Sequence, residues 1–360
     1  MAPRDRSMAD PPRVMSTQHP DNASVPFFVE GESLEGEDEI QEAYYAYSHL
    51  GCDEQMWDFE GKEGDEYAVK KLMGRYDRFF LDSRLGEDVR LTIRGPNPDV
   101  ERSEAKILLE ILESIPRSFD AARLFYESHD RTPVAPIHEV IVPMVTDATQ
   151  LNLVHEYYER FVVGKGATEL WDGRTVEDWV GEFRPERVSV IPLIEDRDSL
   201  LGADEILRGY VEGRDVESQR VFLARSDPAL NYGSLAADLI DKVALARLYR
   251  AAQTLGIELS PTLRAGAAPL RSRVSPPTLD ESHASYTKVE TFTAQSAFKY
   301  DHPADEVRAA TERLREAPRD RSAPAIDVDR ALAVIDRTSE CYADQVARVA
   351  PLVNRLADHT

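Results

Sequence analysis

The chain has 360 residues, of which 66 are acidic and 43 basic, and its formal net charge is −23. An acidic surface of this kind repels nucleic acid, and no Lys/Arg-rich run with interleaved aromatic residues offsets it, so we expect no nucleic-acid partner. No stretch approaches the roughly 18 apolar residues that span a bilayer, and the first residues lack the apolar core of a signal peptide. We therefore expect a cytoplasmic protein without membrane contact.

The basic residues and the cysteines indicate the environment in which the protein is found. Only 8 of the basic residues are Lys, whereas 35 are Arg. Dense surface carboxylates keep a protein soluble where salt screens repulsion, so this composition predicts a halophilic, high-salt cytoplasm. Cys52 and Cys341 are far apart in the sequence, so neither a disulfide framework nor a zinc cluster is indicated. Cys52 is expected to be a small core residue.

Residues 1–14 are polar, rich in proline and without periodicity, which predicts a disordered N-terminal extension, and residues 15–360 are expected to form one barrel domain. From there, runs rich in β-branched residues alternate with amphipathic helical patterns. The runs are a short one before His19 and others near 89–94, 139–145, 188–194, 219–225, 257–263 and 289–294. The helical patterns cover 101–115, 199–210, 233–255 and 326–357.

This βα alternation predicts an α/β fold with a parallel sheet and right-handed crossovers, here a (β/α)8 TIM-type barrel. Only seven runs read as strands, and the last segment of the chain reads as helix with no strand after it. The sequence therefore predicts an incomplete barrel whose last strand is missing. Such a barrel would expose two strand edges and part of its apolar interior.

Polar residues follow the predicted strands, where a parallel barrel gathers its chemistry at one rim. They are His19, Arg94, Asp147, Glu195, Asp227, Arg264 with Arg271, and Gln295. Each is unremarkable alone, because strands commonly end in polar turns. Together, paired carboxylates, guanidinium groups and an imidazole suit a divalent cation, an anionic substrate and a proton acceptor.

Glu195 and Asp227 are the predicted metal ligands, because an isolated carboxylate at the end of a buried strand is costly. Mg²⁺ or Mn²⁺ is the expected cofactor, since hard cations take oxygen ligands and leave positions for substrate oxygens. Arg94 and Arg271 are candidates to hold phosphate or carboxylate in forked geometry. His19, in a turn fixed by Pro20, is placed for acid/base work, although a turn histidine that caps backbone groups would fit the same pattern.

From residue 15 to about 332 the chain strongly resembles the archaeal-type phosphoenolpyruvate carboxylases. The segments that carry the resemblance are long: MSTQHPDN (15–22), SHLGCDEQMWD (48–58), LTIRGPNP (91–98), ESIPRS (113–118), SVIPLIED (189–196), FLARSDPALNYG (222–233) and QSAFKY (295–300). The resemblance implies a β/α barrel that converts phosphoenolpyruvate and bicarbonate to oxaloacetate and phosphate with Mg²⁺ or Mn²⁺, an anaplerotic fixation of carbon. It also implies a homotetramer, which in some members is inhibited by aspartate or malate.

By that analogy, Glu195 and Asp227 hold the metal and His19 is the catalytic histidine. Arg94 and Arg271 contact phosphate and carboxylate groups, and Arg264 and Gln295 join them in binding substrate. In the family's mechanism bicarbonate attacks the phosphoryl group to give carboxyphosphate and the enolate of pyruvate. The histidine then takes a proton from carboxyphosphate, and the CO₂ released adds to the enolate.

The loop around Arg271 departs from the family's pattern. The family has a Gly-Ser pair and a Phe-Arg-Gly triplet here, whereas Ala267, Leu270 and Ser272 replace three of those residues. If the residue after Arg271 must adopt positive φ, Ser272 is strained and can displace the guanidinium. Family members also continue well beyond the point where this chain stops, and we expect that extra segment to contain the final barrel strand.

Two alternatives stay open at this point. One is a catalytically inactive truncated paralogue, or a subunit of a split enzyme, which the altered loop and the early stop favour. The other is a Mg²⁺-dependent aldolase or lyase acting on pyruvate enolate, which would use the same paired carboxylates and arginine. Phosphate release on turnover distinguishes the carboxylase from the latter.

Overall fold

The computed structural model describes residues 10–29, 36–59, 64–268 and 271–357. Eight parallel strands of this part of the chain close into a barrel, and two further strands form a small antiparallel hairpin outside it. The strands are β1 (Val14–Ser16), β2 (Glu54–Asp58), β3 (Arg90–Arg94), β4 (Glu139–Val142), β5 (Glu169–Trp171), β6 (Arg174–Thr175), β7 (Ser189–Ile194), β8 (Ser218–Ala224), β9 (Glu258–Arg264) and β10 (Thr291–Ala294). Around the barrel the order is β1-β10-β9-β8-β7-β4-β3-β2, and the hairpin is β5-β6.

Helices cover the outside of the barrel, and most of the crossovers carry at least one of them. They are α1 (Glu37–Ser48), α2 (Ala68–Arg75), α3 (Asp77–Asp82), α4 (Ala105–Glu127), α5 (Ala148–Tyr157), α6 (Val176–Val180), α7 (Arg197–Leu201), α8 (Ala203–Val211), α9 (Ser226–Tyr232), α10 (Ser234–Leu255), α11 (Leu279–Ser285), α12 (Ser296–Tyr300), α13 (Ala304–Glu316) and α14 (Val328–Ala357). A π-helical turn (Tyr158–Val163) and 3₁₀ turns (Gly164–Ala167 and Pro276–Thr278) accompany them. The predicted helix over 199–210 is two helices, because the chain breaks at Gly202.

The α/β barrel predicted from the sequence is confirmed, but the prediction that its last strand is missing is wrong. All seven predicted strands are present, and the eighth is β2, which lies inside the chain between β1 and β3. Its sequence, Glu-Gln-Met-Trp-Asp, contains no β-branched residue, so its composition does not predict a strand. All five residues are nevertheless buried, and the barrel has no open edge.

The ion pairs of Glu54 explain how a charged residue can be buried in β2. Alternate residues of a strand face the same side, so Glu54, Met56 and Asp58 point together into the barrel. Glu54 is fully buried and bonds Arg220 of β8, on the opposite side of the barrel, at 2.8 Å through each carboxylate oxygen. Arg220 also bonds Glu139 at 2.7 Å. The floor of the barrel is therefore an ionic layer whose charges are paired.

Above this floor, the middle of the barrel is apolar. The interior cluster consists of Met15, Met56, Ile141, Ile191, Leu193, Phe222 and Ala224. The inward-facing residues near the carboxyl ends of the strands are polar. They include Asp58 of β2, Arg94 of β3, Arg264 of β9 and Glu195, which follows β7.

The predicted N-terminal extension, residues 1–14, includes residues that belong to the barrel. Val14 belongs to β1, and Arg13 is 3% exposed, with its guanidinium on the carbonyls of Leu314 and Glu290 at 3.0 and 2.9 Å. The barrel therefore includes residues that were assigned to the extension. Residues 1–9 lie outside the described part of the chain.

The long helix α14 lies against α9 and α10, and the Tyr342 hydroxyl donates to the Leu230 carbonyl at 3.0 Å. Only Ala331 and Ile335 of this helix are buried. Among the described residues, no helix is both long and apolar enough to cross a bilayer.

Candidate active site

The carboxyl ends of the eight barrel strands form one rim, and the predicted site residues meet there. Glu195 follows β7, and its side chain is 14% exposed. One carboxylate oxygen accepts from Arg264 Nη1 at 2.7 Å, and the other accepts from the backbone N–H of Met144 at 2.9 Å. The carboxylate is thus held by groups from the ends of two other strands, β9 and β4.

Asp227 lies in the first turn of α9, directly after β8, and its side chain is half-buried. Burial raises the pKa of Glu195 above its usual range, and the Asp227 carboxylate raises it further, whereas Arg264 and Arg94 lower it. The two carboxylates follow the adjacent strands β7 and β8, and like charges so placed repel each other.

This pair fits a divalent cation that prefers oxygen ligands. Within the described residues, no three His, Cys, Asp or Glu side chains gather closely enough to hold a metal by themselves. Mg²⁺ is commonly bound by one or two carboxylates, with substrate oxygens and water completing its shell. A cation between Glu195 and Asp227 would also offset their mutual repulsion, which adds to the effect of burial in raising the pKa of Glu195.

Arg94 ends β3 and is 7% exposed. Its Nε and Nη2 atoms bond the two oxygens of Asp58 at 2.9 and 2.5 Å, in a bidentate pair across adjacent strands. This geometry fixes the plane of the guanidinium, which suits the recognition of an anion. The sequence predictions missed Asp58 because β2 was not recognised as a strand.

Arg271 lies in the loop after β9, and its Nη1 donates to Gln295 Oε1 at 3.3 Å. Gly266 leaves the space for this contact. A Cβ at Gly266 would lie 2.3 Å from Gln295 Oε1 and 3.0 Å from Arg271 Cδ. The loop thus brings Arg271 and Gln295 into contact, and any side chain at position 266 would push them apart.

His19 is half-buried in the turn after β1. Burial lowers the pKa of His19 to about 4, and the positive charges of Arg271, Arg264 and Arg94 contribute to the lowering, against the opposing effect of Asp227. The imidazole is therefore neutral at pH 7 and can accept a proton. Its three arginine neighbours are the same three that the sequence placed at this rim.

Met144, which follows β4, contributes to the rim through its backbone, a role that the sequence does not predict. Met144 adopts a left-handed conformation (φ 51°), which aims its N–H at Glu195. The side-chain amide of buried Asn97 donates to the Pro143 and Met144 carbonyls at 2.8 and 3.3 Å.

Asp147, one of the predicted strand-end residues, is the exposed N-cap of α5 and accepts from Thr149 N–H at 2.7 Å.

The strain suspected at Ser272 is present. Ser272 and Arg273 have φ of 74° and 54°, and the Ser272 hydroxyl is buried without a hydrogen-bond partner in the described structure. A left-handed conformation costs an L residue about 1–2 kcal/mol, and glycine does not have this cost. Glycine loses more conformational entropy on folding, however, which offsets part of the gain. We expect Ser272→Gly to stabilise the protein by about 0.5–1 kcal/mol, measured as a rise in melting temperature in molar KCl.

Ser272→Ala is the matched control for this prediction. It removes the unpartnered hydroxyl but keeps the Cβ atom at positive φ. We expect Ser272→Ala to raise the melting temperature less than Ser272→Gly does. Equal rises would show that the hydroxyl and not the backbone is the source of the instability.

The fold and the rim define a class: a β/α-barrel protein whose strand ends gather two carboxylates, three guanidinium groups and an imidazole. A family model described as "Phosphoenolpyruvate carboxylase" matches residues 11–360. The chain is 65% identical to a phosphoenolpyruvate carboxylase of Halobacterium salinarum over 354 residues, which cover 98% of this chain and 72% of that protein. This chain therefore belongs to the phosphoenolpyruvate carboxylase family.

More distant relatives agree. A phosphoenolpyruvate carboxylase of Methanothermobacter thermautotrophicus is 50% identical over 96% of this chain and 71% of its own length. One from Pyrococcus furiosus is 46% identical over 96% of this chain and 72% of its own length. Among solved structures, an HpcH/HpaI aldolase from Desulfitobacterium hafniense has a TM-score of 0.42 and 14% identity, over 85% of this chain and 94% of its own, which carries no argument about function.

Proposed function

We propose that this chain carboxylates phosphoenolpyruvate with bicarbonate to give oxaloacetate and phosphate. The observation that carries the proposal is the family match across residues 11–360. The rim supports it, because the reaction needs groups that hold a phosphate and a carboxylate, stabilise an enolate and accept a proton. Neither the inactive paralogue nor the aldolase alternative is favoured by the relatives.

Arg94, Arg264 and Arg271 are proposed to bind the phosphate and carboxylate of phosphoenolpyruvate. A bicarbonate oxygen attacks phosphorus while the bond from phosphorus to the enol oxygen breaks, leaving carboxyphosphate and the enolate. Negative charge moves onto the enolate oxygen in this step, and guanidinium groups fixed in advance stabilise it without reorganisation. The bidentate pair with Asp58 gives Arg94 that fixed geometry.

His19 is proposed to take the proton from the carboxyl group of carboxyphosphate. Loss of that proton lets the carbon–oxygen bond to phosphate break, so that CO₂ and inorganic phosphate form. The enolate carbon then adds to CO₂ to give oxaloacetate. A neutral imidazole is required for this role, and the lowered pKa of His19 provides it at pH 7.

Glu195 and Asp227 are proposed to hold Mg²⁺ or Mn²⁺, which when bound supplies positive charge for the substrate oxygens. The ion pair of Glu195 with Arg264 would then loosen as the carboxylate turns to the cation. The side chain of Arg264 would become available to the substrate. Gln295 is proposed to bind substrate together with Arg271.

The test is oxaloacetate formation from phosphoenolpyruvate and bicarbonate, coupled to malate dehydrogenase, in molar KCl with Mg²⁺ or Mn²⁺. We expect turnover that requires bicarbonate and releases one phosphate per oxaloacetate. Protein that is folded by circular dichroism and makes no oxaloacetate with either metal would contradict the proposal. Turnover of pyruvate-derived substrates without bicarbonate would instead indicate an aldolase or lyase.

Several properties that accompany this function are proposals as well. The acidic surplus supports a halophilic enzyme in a high-salt cytoplasm, where oxaloacetate would replenish the tricarboxylic acid cycle. The resemblance supports a homotetramer, which light scattering in molar KCl would measure. A monomer there would contradict the tetramer and leave the reaction untouched.

A further inference from the structure

A fully buried lysine lies directly behind the turn that carries His19. Lys299, in α12, has a side chain that is 0% exposed. Its Nζ donates to Glu42 Oε1 at 2.6 Å, to the Thr17 carbonyl at 2.8 Å and to Ser16 Oγ at 3.0 Å. An ammonium group has three protons to donate, and these three acceptors match them.

Two of these acceptors belong to the segment that leads to His19. Ser16 is the last residue of β1, and Thr17 is 2% exposed. The Thr17 carbonyl is two residues before the imidazole. Lys299 thus bonds the chain where it leaves the barrel strand, before it turns towards the rim.

The start of α12 holds the other side of the same turn. The Ser296 N–H donates to the His19 carbonyl at 3.3 Å, and the Ala297 N–H donates to Asp21 Oδ1 at 2.7 Å. Contacts before, at and after His19 therefore come from one short helix. Of the three residues of α12 that make them, Lys299 is the one that brings a buried charge.

Glu42, in α1, is 1% exposed and accepts from both Lys299 and the Tyr300 hydroxyl, the latter at 2.7 Å. A buried ion pair is weak evidence for stability, because well-packed apolar residues of similar volume often serve as well or better. Methionine and leucine would fill this space without burying charge. The hydrogen bonds that Lys299 donates to Ser16 and Thr17 explain the pair better than stability does.

We propose that the Lys299–Glu42 pair is a positioning device that fixes the Thr17–His19 segment, and with it the His19 imidazole, against the arginines of the rim. This inference rests on the proposed function for its effect on turnover. Its effect on the placement of His19 is independent of that function. Lys299 and Glu42 do not contact the substrate and are positioning residues only.

The decisive variant is the double substitution Lys299→Met with Glu42→Gln. It leaves no buried charge of the pair without a partner, and the introduced amide keeps an oxygen for the Tyr300 hydroxyl. Lys299→Met alone would strand the Glu42 carboxylate and could fail to fold, so the double variant keeps the test interpretable. Lys288→Met is the control, because Lys288 bonds Asp320 and Ser322 instead of the His19 turn.

Two measurements distinguish positioning from stability alone. We expect the double variant to melt within a few degrees of the wild type, while kcat falls about 10- to 100-fold, since a displacement of about 1 Å can cost that much. KM for phosphoenolpyruvate should change less than about threefold, and Lys288→Met should leave both constants unchanged. A double variant with wild-type melting temperature and wild-type kcat would overturn the proposal.

The second measurement does not depend on catalysis. In protein with ¹³C-labelled histidine, the His19 ring signal is assigned by its loss in His19→Asn. We expect its titration midpoint to move upward, towards the ordinary value of about 6.5, in the double variant, because a loosened turn takes the imidazole away from the arginines and into solvent. An unchanged His19 titration would overturn the proposal even if the chain proved to have another activity.

Discussion

Glu195→Gln and Asp227→Asn are each expected to lower oxaloacetate formation by about 10²–10³-fold, with no loss of fold. Both substitutions keep the size of the side chain and remove its charge. A bound cation provides several kcal/mol of charge stabilisation, and each ~1.4 kcal/mol corresponds to a factor of ten in rate. The measurement is kcat/KM in the coupled assay at saturating Mg²⁺ or Mn²⁺.

The control for these variants is Asp147→Asn. Asp147 also follows a barrel strand, but its carboxylate is exposed and caps α5. We expect its activity to stay within about twofold of the wild type, with a loss of stability of at most about 1 kcal/mol from the weakened cap. Equal losses of activity in all three variants would show that the rim responds to charge in general and has no specific metal pair.

Metal binding can be followed without turnover. A ligand that binds the folded state alone raises the melting temperature, and we expect Mn²⁺ to do so for the wild type but not for Glu195→Gln or Asp227→Asn. The pKa of Glu195 is raised, so acidification protonates this ligand earlier than an ordinary glutamate. The stabilisation by Mn²⁺ should therefore shrink as the pH falls, since the metal needs the ionised carboxylate.

The strand ends that carry the site could be predicted because a parallel barrel brings all its carboxyl ends to one rim. The sequence could therefore place His19, Arg94, Glu195 and Arg264 at this rim without any knowledge of distances. β2 could not be found in the same way. Two of its three inward residues are charged because they meet partners on other strands, Glu54 with Arg220 across the barrel and Asp58 with Arg94 on the adjacent strand, and such pairing is invisible in a local pattern.

The missed parts of the site have the same kind of cause. Met144 contributes a backbone N–H to Glu195, and a backbone group leaves no signature in the residue type. Asp58 is recognisable only once its strand is known. In contrast, the strain at Ser272 was predictable, because it depends on one residue and one dihedral angle.

His19→Asn is expected to lower kcat by about 10²–10⁴-fold, the usual contribution of a general acid or base. Asparagine keeps a polar side chain of similar reach but cannot take up a proton. His129→Asn, at an exposed position beyond the end of α4, is the control and should leave kcat unchanged. A His19→Asn variant with more than roughly a tenth of wild-type kcat would exclude the imidazole as the proton acceptor.

The pH dependence provides a sharper test of how the site works. In the free protein the pKa of His19 is lowered to about 4, first by burial and then by Arg271, Arg264 and Arg94. The phosphate and carboxylate of bound phosphoenolpyruvate would neutralise those guanidinium groups, so the pKa should rise when substrate binds. Substrate would thus convert a weak base into a better one at the moment when the proton must be taken.

We therefore expect the ¹³C-histidine signal of His19 to titrate near its lowered pKa of about 4 in the free protein, and at a higher pH with phosphoenolpyruvate present and bicarbonate absent. The acid limb of kcat, which reports the bound state, should follow the higher value. A midpoint near the ordinary value of about 6.5 in the free protein would mean that the arginines do not act on His19. A midpoint that stays low with substrate bound would mean that the substrate's charge lies elsewhere, and the proton acceptor would then have to be sought among other groups of the rim.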